Sequence, residues 1–230
     1  METVFLRLCG PMQSWGTTGR FDVRGTEPWP TKSGVVGLVA AAMGIDRHGD
    51  ISVLAQLRMG VAVLAPGQVA TDYQTAIMSL RSGPRISDKT AQSWRSYIAG
   101  GDFLVSLTGD PHVVQACYEA VSDPVWPLFL GRRSYAPSLP IATGIITPAT
   151  SLYDDIVQAA TELLSTGHKS VAGDNESSIT FQLTTVVECG ADAATTTIPD
   201  QPLGTFADRR FGQRYVSIGV TQIVPLGEAS

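Results

Sequence analysis

The sequence predicts an α+β protein: a split βαβ unit, interrupted by an inserted arm and followed by a β-rich C-terminal extension. Three observations carry that prediction. Short stretches at 2–8, 61–65 and 103–108 are apolar or alternating and are bounded by Gly and Pro, the mark of strands. Stretches 31–43 and 111–121 follow capping residues and have the length and apolar content of helices. Residues 68–100 follow neither pattern and fall between the second and third strands. With 230 residues, 43% hydrophobic and 16% charged, the chain is long enough to bury roughly 70% of its unfolded surface.

In the first strand, Glu2–Leu8, Val4, Leu6 and Leu8 fall on one face and Phe5 and Arg7 on the other. Residues 10–30 are rich in Gly, Pro and Thr and read as a long loop. Thr31 or Ser33 caps a helix that runs to about Met43 and stops at Gly44. Gly34, Gly37, Ala41 and Gly44 form a small-residue stripe that lets this helix lie close against another backbone. Asp50 caps a short helix near 51–57, and Val61–Ala65 is the second strand. The insert carries Arg81, Arg85, Lys89 and Arg95 against Asp72 and Asp88, with Tyr73, Trp94 and Tyr97, and has the size of a hairpin arm. Phe103–Thr108 is the third strand; Asp110 caps the next helix, with Pro111 in its first turn. Val125–Leu130 reads as a fourth strand, at an edge or bulged because of Pro127. This order of elements is that of a ferredoxin-like unit. Beyond it, 179–188 and 214–224 read as strands, and 165–178 and 191–204 as mobile loops.

No apolar run approaches the ~18 residues that span a bilayer. The start, METVFLRL, lacks the basic head and cleavage site of a signal peptide, so the expected location is cytoplasmic. Cys9, Cys117 and Cys189 are far apart, with no CxxC pair, which points to buried thiols and to no metal site. The net charge is −5, unevenly spread: 148–204 hold eight acids and one base, and the rest holds 13 acids and 15 bases. Such a chain supports local anion sites but not bulk coating of nucleic acid.

Lys32-Ser33 at the head of a helix looks like the end of a nucleotide-binding loop. That motif needs glycine where Thr26 and Thr31 stand, and Pro28 and Pro30 remove N–H donors. What survives is a helix start suited to one backbone phosphate, against a plain capped helix. Gln13, Trp15, Arg20, Arg24 and Trp29 share the 10–29 loop, where tryptophans either stack on unpaired bases or pin the loop to the core. Arg132 and Arg133 follow a glycine at the end of the expected strand, where adjacent side chains point opposite ways; either one reaches a ligand while the other pairs internally, or the two are a plain solvated charge pair. Arg209, Arg210 and Arg214 carry the same ambiguity. His48, His112 and His168 fit no catalytic or metal pattern, and Asp154-Asp155 read as helix-start charges.

Taken together, LRLCGPMQSWG, PTKSGVVGLVAAAMG, DYQTA, WRSYI, FLGRRS and RRFGQRYV resemble, in order and spacing, the CasD family. That family is the subunit of type I-E CRISPR Cascade that grips the 5′ handle of crRNA, in the RAMP superfamily. The pattern departs at Tyr135, where the family usually has cysteine, and segment 148–204 matches poorly. The resemblance implies an RRM-type body at 1–67 and 101–135, a thumb at 68–100 that passes over RNA, and a C-terminal subdomain at 136–230. It implies handle contacts from Gln13, Trp15, Arg20, Arg24, Thr31, Lys32, Ser33, Arg132, Arg133, Arg209 and Arg210. Tyr73, Arg81, Arg85, Lys89, Trp94 and Arg95 would serve the thumb toward RNA or the neighbouring backbone subunit. Expected partners are crRNA, the backbone and large subunits, and target DNA only indirectly through the complex, in antiviral defence. No cofactor, metal or membrane is expected. A type I-C subgroup cuts precursor RNA with a tyrosine, lysine and histidine set. No such triad is recognisable here, so the expectation is a non-catalytic binder, the alternatives being a metal-independent endoribonuclease and a bare assembly protein. The acidic face of 148–204 is expected to point outward or toward a protein partner.

Overall fold

The structure, a computed structural model, describes residues 1–16, 19–20, 22–82, 85–146, 151–169, 180–208 and 210–224. It is a mixed α+β, sheet-rich fold. The body strands are β1 (Glu2–Cys9), β5 (Arg58–Ala65), β8 (Asp102–Gly109) and β9 (Ala142–Ile146). The C-terminal strands are β10 (Phe181–Glu188), β11 (Thr196–Leu203) and β12 (Arg210–Ile223). All seven lie in one sheet, in the order β11-β12-β10-β5-β8-β1-β9, with every neighbouring pair antiparallel. The C-terminal segment therefore extends the body's own sheet, through β10 on β5.

Both faces of the sheet are covered. Helices α1 (Lys32–Ala42) and α3 (Pro111–Ser122) share a core with Val4, Leu6 and Leu8, whereas α4 (Leu152–Lys169) packs Leu152, Ile156 and Ala160 against Phe5, Ala62 and Leu104. That division is the period-two alternation read from the first strand. Thr31 caps α1, its hydroxyl accepting the Gly34 N–H at 3.4 Å, and the Asp110 carboxylate accepts the first-turn N–H groups of α3. Asp50 accepts the Ser52 N–H at the head of the short α2 (Ser52–Ala55). At Gly34 and Gly37 the stripe on α1 meets aromatic rings. Val35, Val36 and Val39 fill the core, whereas Gly34 faces the Trp15 ring and Gly37 the Phe206 ring.

Four expectations need correction. Val125–Leu130 is not a strand. Pro124 and Pro127 offer no ladder donors, and the neighbouring N–H groups bond elsewhere: Val125 to the Ala42 carbonyl at the end of α1, Leu130 to Tyr135. The place beside β1 goes to β9. Of the expected 165–178 loop, residues 165–169 are helical and close α4, where the Ser165 and Thr166 hydroxyls bond to carbonyls four residues back; 170–178 lie outside the described residues. The 191–204 loop contains β11, an edge strand that pairs only with β12 and therefore tolerates Pro199 and Pro202 beside a register shift. The fourth correction concerns the acids of 148–204, three of which turn inward: Asp155 and Asp200 are buried, and Glu188 is part-buried.

The insert is a hairpin of β6 (Gln68–Ser82) and β7 (Arg85–Ala99), in unbroken register from Gln68↔Ala99 to Ser82↔Arg85. Strands of 15 residues span about 50 Å at ~3.3 Å each. It leaves the body at Gly67, whose φ of +65° and 2.5 Å clearance to the Ala99 carbonyl exclude a side chain. The 10–30 loop runs along the free edge of β7. There β2 (Met12–Gln13) pairs at the base, and β4 (Val23–Arg24) pairs in parallel with Trp94 and Arg95. Another short strand, β3 (Gly19–Arg20), pairs with β4. Among the described residues no helix is long and apolar enough to cross a membrane, and no group of three or more His, Cys, Asp or Glu side chains could hold a metal.

Candidate nucleic-acid interface

The head of α1 is not an open phosphate site. Lys32 is buried, its Nζ 3.0 Å from Glu188 Oε2, and its backbone N–H donates to Asp200 Oδ2 at 2.8 Å. Asp200 in turn receives two guanidinium nitrogens of buried Arg214, each at 2.8 Å. Burial pulls the Lys32 ammonium below its ordinary pKa, and the Glu188 carboxylate partly offsets that. Two acids thus already occupy the lysine and the helix start. Lys32 and the buried cap Thr31 are not available to RNA, while Ser33 is half-buried beside a groove.

Gln13 and Trp15 are also structural. Gln13 is fully buried and donates its amide to the carbonyls of Leu8 and Gly101, at 2.9 and 2.7 Å. Its Oε1 accepts the Trp15 indole N–H at 3.1 Å. The Trp15 ring is 1% exposed and lies on Gly34, where a Cβ would come within 2.8 Å of it. Of the two readings of this loop, the pinned one holds for these residues. Arg24 is exposed on β4 and remains a candidate.

The two adjacent arginines do divide, though a turn and not strand alternation sets their directions. Arg132 points inward: Nη1 donates to the Tyr135 phenol and Nη2 to the Ser96 carbonyl on β7, both at 2.8 Å. Its guanidinium also lies 5.4 Å from the centre of the Tyr135 ring. Arg133 is exposed and has no partner among the described residues. The turn that carries them depends on Gly131, at φ +89°, where a Cβ would fall 1.8 Å from the Ser14 carbonyl oxygen. Arg210 is exposed and loosely paired with Asp208 at 3.7 Å. Arg209 and the side chains of Arg20, Arg81 and Arg85 lie outside the described residues.

Register sorts the hairpin into two faces. Tyr73 stands opposite Trp94, their rings 5.4 Å apart, on the face that also carries Val69 and Ile77. All four are exposed. Arg95 and Lys89 fall on the other face with Asp72, and register adds Arg24 to it through Arg95. Lys89 is exposed and Arg95 half-buried, its Nε donating to the Ser93 hydroxyl.

Sequence reasoning missed two features. One is the brace at the hairpin base, where the Tyr135 ring and phenol and the Ser96 carbonyl hold Arg132, and Tyr97 packs against Tyr135. Its only sequence signal is tyrosine where the family pattern has cysteine. The other is a groove of about 680 Å³ on the outer side of α1, flanked by the 126–131 segment and by Phe206 and Phe211. Its aromatic residues are scattered too widely along the chain to form a motif.

The description "CRISPR-associated protein (Cas_Cas5)" belongs to a family model that matches residues 3–217. The chain is 34% identical over 157 residues to the CRISPR system Cascade subunit CasD of Escherichia coli K12, covering 61% of this chain and 70% of that protein. It resembles a solved structure described as the crystal structure of a Cas protein, with TM-score 0.69 and 35% identity over 95% of this chain and 94% of the other. A chain of a CRISPR RNA-guided surveillance complex matches with TM-score 0.74 and 27% identity over 96% of this chain and 91% of the other. With the family match spanning nearly its whole length, the chain belongs to the CRISPR-associated protein (Cas_Cas5) family.

Proposed function

We propose that the chain is a non-catalytic, cytoplasmic subunit of a type I-E Cascade complex that holds the 5′ handle of crRNA. The observation that carries this is the divided arginine pair. Arg132 fastens the base of the hairpin to the body, and Arg133 stands free beside that junction, where a strand passing under the hairpin would cross. Arg24, Lys89 and Arg95 add cationic contacts on one face of the thumb. The apolar face, with Val69, Tyr73 and Ile77, meets the neighbouring backbone subunit. The large subunit is a further partner, and target DNA is reached only through the complex.

The body is of ferredoxin-like, RRM type. Support comes from the order β5-β8-β1-β9 with antiparallel neighbours, in which β1 and β5 are parallel to one another and split by β8. The non-catalytic reading is supported by Lys32, which is buried and paired with Glu188, out of reach of an RNA strand. The test is binding of labelled crRNA by the complex assembled with Arg133→Ala. We expect weaker binding and a salt dependence reduced by about one charge. Unchanged affinity and slope would remove Arg133 from the interface. A specific cut when the purified chain meets repeat RNA would overturn the non-catalytic assignment.

A further inference from the structure

We infer that the groove on the outer side of α1 is a slot for an unpaired nucleobase of the bound RNA, an inference that rests on the RNA-binding reading above. Its volume of about 680 Å³ lies in the range of small-ligand sites. Its helix side runs along Gly34, Gly37, Leu38 and Ala41, with the Phe206 ring standing over Gly37, 3.5 Å from where a Cβ would be. Trp126 and Phe129 line the groove from one segment, and Phe206 and Phe211 from another. Trp126 and Phe211 keep 43% and 41% of their surface exposed, so core packing does not account for them. Aromatic faces gathered in a slot bind planar bases by stacking, whatever the base. The polar groups are few: the Ser33 hydroxyl, and the Asp46 carboxylate, which accepts the His48 N–H at 2.7 Å and has lone pairs left for a base amino group.

The charges around the groove select RNA over an apolar peptide. Gly131 lines it and leads directly into Arg132 and the exposed Arg133. Arg47, also exposed, lines it as well, and its carbonyl accepts the Ala207 N–H at 2.8 Å, holding the 205–208 turn in place. An aromatic slot with cations beside it suits a strand whose phosphates pass outside while one base turns in. An apolar segment would offer no anionic group to Arg47 in the lining or to Arg133 beyond Gly131, whereas Arg132 is already held by Tyr135 and Ser96.

The experiment uses the assembled complex loaded with crRNA carrying 2-aminopurine at one handle position at a time. In the wild type we expect one position to be strongly quenched by stacking. Trp126→Ala and Phe211→Ala, both at exposed side chains, should restore its fluorescence and weaken crRNA binding about 5- to 160-fold, the range for losing one stacked base. Arg133→Ala should weaken binding without unquenching that position. If both aromatic variants bind like the wild type with unchanged fluorescence while Arg133→Ala weakens binding, the slot is refuted and the RNA-binding function stands. If they shed a protein subunit with the quench intact, the groove docks protein and the inference is overturned. If the complex holds no RNA through this chain, both readings fall.

Discussion

Asp200→Ala removes the centre of the buried charge network at the head of α1. The carboxylate has no solvent-exposed surface and makes three bonds of 2.8 Å, two to Arg214 and one to the Lys32 N–H. Arg214 already has one nitrogen, Nη1, buried without a partner. Without Asp200 the guanidinium is a buried charge with no compensating carboxylate in bonding distance. Removing one member of a buried pair costs about 3–5 kcal/mol. The orphaned helix N–H adds about 1 kcal/mol or more. Against a typical stability of about 5–15 kcal/mol, this change is close to unfolding the chain. Arg214→Met alone should cost a similar amount, because Asp200 then keeps only the helix N–H. The double variant Asp200→Ala/Arg214→Met should cost well below the sum, since no buried charge is left unpaired. Urea unfolding of the four proteins measures this directly. A loss under about 1 kcal/mol for Asp200→Ala, or strict additivity in the cycle, would refute the claim that this network fastens the C-terminal strands to α1.

Gly131→Ala should destabilise by at least about 1–3 kcal/mol from backbone strain alone, read as a fall in urea midpoint, because the new Cβ meets the Ser14 carbonyl. Gln13→Leu leaves two buried carbonyls and the Trp15 N–H without their partner; it should lower the melting temperature yet leave crRNA affinity of the folded protein unchanged. Arg133→Lys should retain most RNA affinity, since a point charge serves a phosphate. Arg132→Lys should lose it, since one ammonium cannot bridge the Ser96 carbonyl and the Tyr135 phenol as the planar fork does. Burial pushes the Cys117 thiol up to about 12 from 9.0, so it should resist thiol reagents at pH 8 in the native chain. Below pH 9 this thiol is neutral in both states. Above that the unfolded chain ionises first, so its contribution to stability is lost between about pH 9 and 12, visible as a falling urea midpoint.

What was legible in the sequence is what local chemistry decides. Thr31 and Asp110 announce two helices, and the Val4, Leu6, Leu8 alternation announces a strand with one face in the main core. The hairpin was legible as an arm but not as two unbroken strands, because its pairing is long-range and its residues have weak alternation. Val125–Leu130 misled because it is apolar, and nothing local says that its N–H groups bond to α1 and a turn instead of a neighbour strand. Lys32 misled for the same reason on a larger scale. Its partners Glu188 and Asp200 lie 156 and 168 residues away, and only the assembled seven-stranded sheet brings them to the helix. The arginine pair was legible as a divided pair, but which member faces outward depends on Tyr135 and Ser96, from two other places in the chain.

The placement of charge explains how an acidic chain presents a nucleic-acid surface. Glu188 and Asp200, near the head of α1, are neutralised there by Lys32 and Arg214. That exchange removes two cations from the candidate list and also removes the repulsion they would have had to overcome. The cations left exposed, Arg24, Lys89 and Arg133, sit on the edge strand, the hairpin and the 130–135 turn, which Arg132 ties together through Ser96. Under the proposed function, a few cations on a braced frame would position one strand of RNA, whereas the same number spread over a net-negative surface would be screened and opposed. The buried network and the arginine brace therefore act on the same outcome from opposite sides: one clears negative charge from the helix head, and the other fixes the positive charge that remains.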